Sequence, residues 1–353
     1  MSLNILITGA AGYIGGSVLA ELLSRTSGLV KAKNIIAAVR SEEQVQSLSK
    51  LGVNVVQLNL RDEDAVKEVV LKNNINFIIH TASSSEAALV SHLIKALGEH
   101  RRISGKDAYF IHSSLTTLFS EEAGWTYGEV RDSDPIFEKE KEIGDLHPAR
   151  HTNILVAELS KELGVTSFNV AVPMVYGRGA GEWRKVSVNI PASIRTAIAN
   201  KIVYKFDKDG APPATHISDL AALYALLVEK VTHKEPIPSG EKGYYFATVH
   251  KCPWWEVMDG IAKSMHERGL VAEPKAQLWP SYELAADQLG FPRRFIRAMA
   301  TSSGDLVPVN SYNLGWQPKW DQERFLNSLD EEVQTMLEVD TVKPTIFDFL
   351  LNN

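Results

Sequence analysis

A short apolar strand followed at once by three evenly spaced glycines constrains this chain more than any other feature. Residues 3–8 are dense in Leu and Ile, which is typical of a strand buried on both faces of a parallel sheet. Gly9, Gly12 and Gly15 follow as G-x-x-G-x-x-G, and apolar residues then recur at helical spacing over 18–23. The first glycine permits a tight turn, the second admits a pyrophosphate, and the third lets helix and strand pack closely. The pattern predicts a dinucleotide-binding loop.

The same stretch does not predict a membrane segment. Residues 2–20 carry no charge and have nearly the length of a bilayer span, but glycines and polar side chains interrupt them. No basic region precedes them, so no signal peptide is predicted. Cys252 is the only cysteine, which excludes an intrachain disulfide. We therefore expect a cytoplasmic protein without a membrane partner.

The composition favours a protein that acts on a small-molecule substrate. With 353 residues, 44% of them hydrophobic, the chain can bury a large core. A net charge of −6 without a long basic run argues against nucleic acid as a partner. No Cys and His pattern typical of a metal site is present, so we expect no metal and a small-molecule substrate.

Further strands alternate with helical patterns in units of roughly thirty residues, which predicts repeated βαβ crossovers. These strands are predicted at residues 34–39, 53–58, 76–80 and 107–112. The fold class expected is α/β, a Rossmann-type doubly wound parallel sheet with a smaller C-terminal substrate lobe. We place the NAD(P)-binding domain mainly in residues 1–176 and the substrate lobe mainly in 177–353, with some segments returning to the first domain.

The residues after the second strand indicate which dinucleotide is bound. Arg40 and Ser41 stand where NAD-binding folds usually place an acidic residue that holds the ribose 2′-hydroxyl. A guanidinium can grip a 2′-phosphate, which a carboxylate would repel. The sequence therefore favours NADP(H) over NAD(H). The alternative is a solvated arginine neutralised by Glu42 and Glu43.

Ligands of such sheets bind at the carboxyl ends of the strands. Asn59 and Leu60 follow the third strand, where the chain would pass the adenine and Asn59 can hydrogen-bond its edge. Thr81, Ala82 and Ser83 follow the fourth strand and are small enough to let the backbone lie against the cofactor.

Motifs spread over nearly the whole chain resemble one family. They are TGAAGYIG, FIIHTAS, YFIHSS, VAVPMVYGRG, THISDLAALY and LGWQPK, together with VR after the second strand. The chain resembles the extended branch of the short-chain dehydrogenase/reductase superfamily, the NAD-dependent epimerase/dehydratase and dihydroflavonol-reductase-like group. The resemblance implies a cofactor loop that also includes Tyr13 and Ile14, and a nicotinamide bordered by Pro173, Met174 and Val175. It further implies a homodimer formed through helices beside the site.

The family's catalytic pair is missing. Its chemistry usually rests on a Tyr and a Lys at Y-x-x-x-K spacing on the helix after the fifth strand, where the tyrosine hydroxyl gives or takes the substrate proton. Registered on the small residue and Glu at 157–158, this helix has Arg150 at the Tyr position and Ile154 at the Lys position. No Tyr or Lys lies between residues 144 and 160, so no shift of register restores the pair.

Other residues are candidates to replace it. Arg150 stays protonated, so it is a poor proton donor, but it can hold a carboxylate or stabilise an oxyanion. His151 is a candidate acid or base, the alternative being a surface histidine. Ser114 and Thr116 follow the fifth strand and are candidates to orient the substrate oxygen. One register puts Leu115 at that position instead.

Three functions stay open. The first is an NADP(H)-binding oxidoreductase or epimerase-type enzyme that acts on a small carbonyl or alcohol through a non-standard site. The second is a regulator that binds NADP(H) without chemistry. The third is a non-redox catalyst such as a dehydratase, isomerase or cyclase on the same fold, because the fold alone does not decide the chemistry.

Overall fold

The computed structural model describes residues 3–25, 30–145, 147–297, 302 and 304–339. Its centre is a seven-stranded sheet in which every neighbouring pair is parallel, with strand order β11-β7-β5-β4-β1-β2-β3. In chain order the strands of this sheet are β1 Ile5–Thr8, β2 Ile35–Val39, β3 Asn54–Gln57, β4 Phe77–His80, β5 Tyr109–Leu115, β7 Thr166–Val172 and β11 Tyr244–Phe246. The expected Rossmann-type α/β fold is confirmed, and β1 to β5 lie where the apolar runs predicted them, whereas β7 and β11 were not predicted.

Helices cover both faces of this sheet. The first ten are α1 Tyr13–Ser24, α2 Glu42–Ser49, α3 Glu63–Lys72, α4 Ala87–Ser104, α5 Ile136–Ile143, α6 Pro148–Leu163, α7 Asn189–Asn200, α8 Ile217–Thr232, α9 Trp254–Glu267 and α10 Tyr282–Leu289. Helices α1 and α8 pack together on one face, and α3, α4 and α6 pack side by side on the other. Each face presents Ile, Val, Leu and Phe to its helices, as expected of strands buried on both sides.

Smaller sheets build the second lobe around its own apolar core. They contain the short strands β8 Met174–Tyr176, β9 Tyr204–Lys205, β10 Pro213–His216, β12 His250–Lys251 and β13 Gln277–Leu278. A further small sheet pairs β6 Val130–Arg131 with β14 Leu306–Val307 and packs against main-sheet residues of β7 and β11. Strand β8 pairs in parallel with β10, which pairs in antiparallel fashion with β12. The domain boundary at residue 176 stays a prediction, although β11 does return from the second half of the chain to the edge of the main sheet.

Three more helices complete the described part of the chain, at Val309–Asn313, Gln322–Asn327 and Leu329–Val339. Within the described residues, no helix combines the length and the apolar character that crossing a bilayer requires.

Candidate cofactor and active site

The glycine loop is closed so tightly that side chains have no room in it. Gly9 follows β1 with φ of +74°, a conformation that L residues rarely adopt. A Cβ on Gly9 would lie 2.9 Å from the backbone nitrogen of Ala82, and a Cβ on Gly15 would lie 2.3 Å from the Gly9 carbonyl oxygen. Gly12 donates its N–H to that same carbonyl at 2.7 Å. The backbone is therefore shaped to approach another group closely.

Helix α1 begins directly after this turn. Its N-cap is Gly12, no side chain caps it, and its first turn carries no acidic residue. The unsatisfied N–H groups and the positive end of the helix dipole at such a terminus attract a phosphate. The loop and the helix terminus together fit a dinucleotide pyrophosphate.

The segment after β4 forms the opposite wall of this turn. The Thr81 hydroxyl donates to the Thr8 carbonyl at 2.7 Å, and it would lie 2.4 Å from a Cβ on Gly15. Ser83 accepts hydrogen bonds from the N–H groups of Ser85 and Glu86 at 3.3 and 3.2 Å. The structure therefore brings the segment that contains Thr81, Ala82 and Ser83 against the glycine loop.

An arginine follows the end of β2. The Arg40 N–H donates to the Gln44 side chain at 2.9 Å, and its carbonyl accepts from Gln57 at 3.0 Å. Ser41 caps α2 by accepting from the Gln44 N–H. The Arg40 residue is exposed. Position 40 thus presents a cation, where an acidic residue would select the 2′-hydroxyl.

Asn59 and Leu60 lie in the turn between β3 and α3. The Asn59 side-chain oxygen accepts the Arg61 N–H at 3.1 Å, and the Leu60 carbonyl lies 3.0 Å from the His92 ring. The Asn59 oxygen thus supports its own turn, and its role at the adenine stays a prediction.

The nicotinamide border predicted for Pro173 and Val175 lies at the junction of β7 and β8. Pro173 separates the two strands and is buried, while Val175 pairs with Thr215 and is partly exposed. These positions lie where the main sheet ends and the second lobe begins. Their contact with a nicotinamide stays a prediction.

Tyr13 points away from the glycine loop toward the second lobe. It is buried, and its hydroxyl donates to the Gly177 carbonyl at 2.7 Å. The Gly177 N–H in turn donates to the Glu332 carboxylate at 2.6 Å. Burial raises the pKa of Glu332 to about 7. Sequence reasoning missed Glu332, because nothing near it in the chain marks it as the partner of a backbone amide 155 residues away.

Arg150 is buried under the segment that follows β5. One of its guanidinium nitrogens, Nη2, donates to the carbonyls of Leu118 and Ala123 at 3.2 and 3.0 Å. Burial lowers the pKa of Arg150, and the nearby Glu140 opposes that shift. The residue at the family's tyrosine position therefore holds a loop in place. Ile154, at the family's lysine position, is only partly buried.

His151 lies on the outer side of the same helix. Its side chain is 48% exposed and lies 3.1 Å from the Asp145 carboxylate. The helix thus turns Arg150 inward and His151 outward, so the structure does not bring these two candidates together. A catalytic role for His151 stays a prediction.

The hydroxyl groups at the carboxyl end of β5 lie on both faces of the sheet. Ser113 lies 2.6 Å from the Tyr224 hydroxyl on the face covered by α8, and both residues are buried. Ser114 points to the other face, where its buried hydroxyl has no partner among the described residues. Thr116 is buried at the start of a 3-10 turn, and Leu115 is partly buried. An unpartnered buried hydroxyl costs free energy, and the hydroxyls of Ser160 and Ser167 are in the same state.

Sequence reasoning also missed a buried carboxyl on α5. Glu140 is fully buried, and it accepts hydrogen bonds from Tyr244 at 2.6 Å and from Asn153 at 2.9 Å. Burial raises the pKa of Glu140 to about 7. The available signal was its spacing, since Ile136 and Glu140 share one face of the helix, and an acidic residue on an apolar face demands partners.

A parallel sheet with a glycine-lined turn at the N-terminus of its first helix is the architecture of dinucleotide-binding proteins. Residues 5–96 match the model of the NAD dependent epimerase/dehydratase family. The chain is 24% identical over 327 residues to an uncharacterised protein of Schizosaccharomyces pombe, which covers 90% of this chain and 95% of that protein. It is also 24% identical to UDP-glucose 4-epimerase of Bacillus subtilis, over 64% of this chain and 73% of the enzyme.

Solved structures share the fold over almost the full length. UDP-glucose 4-epimerase of Thermotoga maritima has a TM-score of 0.63 at 17% identity, covering 95% of this chain and 100% of the enzyme. The dTDP-glucose 4,6-dehydratase of Bacillus anthracis, solved with NAD, has a TM-score of 0.65 at 15% identity, covering 96% and 98%. These findings confirm the resemblance to the extended short-chain dehydrogenase/reductase superfamily. Residues 5–96 are thus similar to the NAD dependent epimerase/dehydratase family, and the fold of the whole chain is similar to that of these solved enzymes.

Proposed function

We propose that this chain is an NADP(H)-binding enzyme of the oxidoreductase or epimerase type that acts on a small carbonyl or alcohol through a site without the family's Tyr and Lys. The observation that carries the proposal is the turn in which a Cβ on Gly15 would lie 2.3 Å from one backbone oxygen and 2.4 Å from the Thr81 hydroxyl. Such close packing of three segments at the carboxyl end of a parallel sheet suits a bound pyrophosphate.

The preference for NADP(H) is supported by the end of β2. Arg40 carries a guanidinium where a carboxylate would select the 2′-hydroxyl, and a guanidinium binds a phosphate with two parallel hydrogen bonds. The hydroxyl of Ser41 lies at the same turn and caps α2. NAD is the alternative, because the related dehydratase structure was solved with NAD.

Residues near the end of β5 would orient the substrate and fix the loop beside it. The dinucleotide, when bound, supplies or accepts hydride. Ser114 and Thr116 lie at the carboxyl end of β5 and would orient the substrate oxygen. Arg150 fixes the loop that follows β5 by donating to the carbonyls of Leu118 and Ala123. A guanidinium that remains protonated does not serve as the proton donor.

Calorimetric titration with NADPH and NADH tests the cofactor assignment. Arg40→Ala should weaken NADPH binding by about 1 to 3 kcal/mol, the scale of charge-assisted hydrogen bonds, and should change NADH binding little. Arg293→Ala is the matched control, because Arg293 is exposed and pairs with Asp287 on the surface of the second lobe. Equal losses for both dinucleotides would refute the role of Arg40.

Oxidation of NADPH in the presence of a panel of small carbonyl compounds then tests the activity. Turnover of any of them supports the enzyme. A second candidate is a regulator that binds NADP(H) without turnover, and the buried, loop-holding position of Arg150 favours it, since the family's proton donor has no equivalent there. Tight NADPH binding with no oxidation across the panel would support the regulator and refute the reductase.

A further inference from the structure

A row of buried polar side chains crosses the main sheet at one level. Strand pairing aligns Thr8 with His80, His80 with His112, His112 with Asn169, and Asn169 with Tyr244. Residues paired in parallel strands point to the same face, so the five side chains form one line across five strands. Each of them is at most 1% exposed.

Contacts along the row confirm its continuity at both ends. The Thr8 hydroxyl lies 2.7 Å from a ring nitrogen of His80, and the rings of His80 and His112 stack with centroids 5.8 Å apart. At the far end the Tyr244 hydroxyl donates to Glu140 at 2.6 Å. The row therefore runs from the residue before the glycine loop to a buried carboxyl.

The middle of the row has more polar atoms than partners. The ring nitrogens of His112 and the side-chain amide of Asn169 have no partner within ordinary hydrogen-bond geometry among the described residues. The Ser84 backbone lies near the His112 ring, and the Asn169 amide lies near the Tyr244 hydroxyl. The Ser114 hydroxyl, two residues further along β5 on the same face as His112, is likewise unpartnered. Buried polar atoms in this state are usually satisfied by internal water. A purely structural core would be filled better by apolar side chains.

We propose that this row, with bridging water molecules, is a proton path that links Glu140 to Ser114 and replaces the missing Tyr and Lys. The proposal rests on the proposed function, because it assigns the proton of that reaction. In the reductive direction the Glu140 O–H bond breaks and an O–H bond forms on the carbonyl oxygen of the substrate, whose carbonyl carbon would receive hydride from a bound dinucleotide. Tyr244, water, His112 and Ser114 each accept one proton and release another, so their own composition does not change.

The surroundings of Glu140 suit a group that gains and loses a proton near neutral pH. From α6, Asn153 donates to one carboxylate oxygen, and the Arg150 charge lowers the pKa of Glu140. From β11, Tyr244 donates to the other oxygen, and burial raises the pKa of Tyr244, with Glu140 and then Glu138 adding to that rise. Burial outweighs these contacts and raises the pKa of Glu140 to about 7. Both forms of the carboxyl are thus populated at physiological pH.

The dependence of kcat on pH tests the path in the full-length protein. In the wild type, kcat for carbonyl reduction should fall as pH rises through about 7, because Glu140 then loses the proton it supplies. Glu140→Gln should lower kcat at pH 6 by about tenfold or more and should remove that fall, since the amide does not titrate. Tyr244→Phe should also lower kcat at pH 6 and remove the fall of kcat with rising pH, although the Glu140 carboxyl is still present. NADPH affinity should stay unchanged in both variants.

Tyr245→Phe is the matched control. Tyr245 is the next residue of β11, is also buried, and donates its hydroxyl to the Pro238 carbonyl at 2.7 Å on the opposite face. It should keep the wild-type kcat and pH profile. If Tyr244→Phe and a folded Glu140→Gln also keep the wild-type kcat and pH profile, the proton path is overturned, but the proposed enzymatic function is not. A wild type that binds NADPH but reduces no carbonyl overturns the proposed function and the path with it.

Discussion

Replacing Arg150 by methionine should destabilise the protein, because its guanidinium bonds the loop after β5. Methionine retains length and apolar contact but donates nothing. Two hydrogen bonds from a charged donor disappear, at 3.2 Å to Leu118 and 3.0 Å to Ala123. The Leu118 residue is buried, so its carbonyl loses its partner without access to water, whereas the Ala123 residue is half-exposed and its carbonyl is rehydrated.

The expected loss follows from these two sites. An orphaned buried carbonyl costs about 1 to 3 kcal/mol, and the bond that water replaces adds about 1 kcal/mol, so the total is about 3 kcal/mol. With about 2.1 cal/mol/K of unfolding entropy per residue, 353 residues give about 0.7 kcal/mol/K. The corresponding fall in Tm is about 4 °C.

Thermal unfolding followed by circular dichroism measures this shift. Arg293→Met is the control, because Arg293 forms an exposed pair with Asp287 that contributes little. An Arg150→Met variant that loses turnover but keeps the wild-type Tm would refute the structural role and favour direct action of Arg150 on the substrate.

Two other perturbations follow from the site. Gly15→Ala should abolish binding of NADPH and NADH in calorimetry, because its Cβ would lie 2.3 Å from a backbone oxygen; retention of either dinucleotide would contradict the proposed fit. Burial raises the pKa of Glu332 from 4.5 to about 7, so its contribution to stability is fully present below about pH 4.5 and is lost as pH rises through 7. Urea unfolding should therefore show that the free energy of unfolding of the wild type, relative to that of Glu332→Gln, falls by on the order of 3 kcal/mol between pH 4.5 and pH 8. A difference that does not vary with pH would contradict this pKa.

The local parts of the fold were predictable. The strand, the glycine turn and the start of α1 could be predicted because residues within one short segment set their own backbone conformation. Residues 253–265, with Pro253 near the first turn, predict a helix, and the structure has one at Trp254–Glu267. Residues 321–337 predict one helix, which is wrong, since the structure has two helices that meet at Ser328, whose hydroxyl donates to the Phe325 carbonyl. Short-range competition between a side chain and the helix backbone explains the break.

The candidate site was predictable in part for the same reason. The sequence itself shows that no Tyr or Lys lies between residues 144 and 160, and that Arg40 follows β2. The inward direction of Arg150 was not, because it depends on carbonyls 32 and 27 residues away. Glu140 lies in a charged stretch, where its helical spacing from Ile136 was the available sign of burial. Its partner Tyr244 could not be predicted, because it is 104 residues further along the chain.

The sequence by itself determined the class of protein, since glycine spacing and apolar periodicity specify backbone shape and burial within each βαβ unit. The tertiary structure alone decided which polar residues meet. His112, Asn169 and Tyr244 belong to three separate units, and only the register of strands β5, β7 and β11 brings them into one buried row. The register of paired strands is set by packing over the whole sheet, so it cannot be predicted from any one short segment of the sequence.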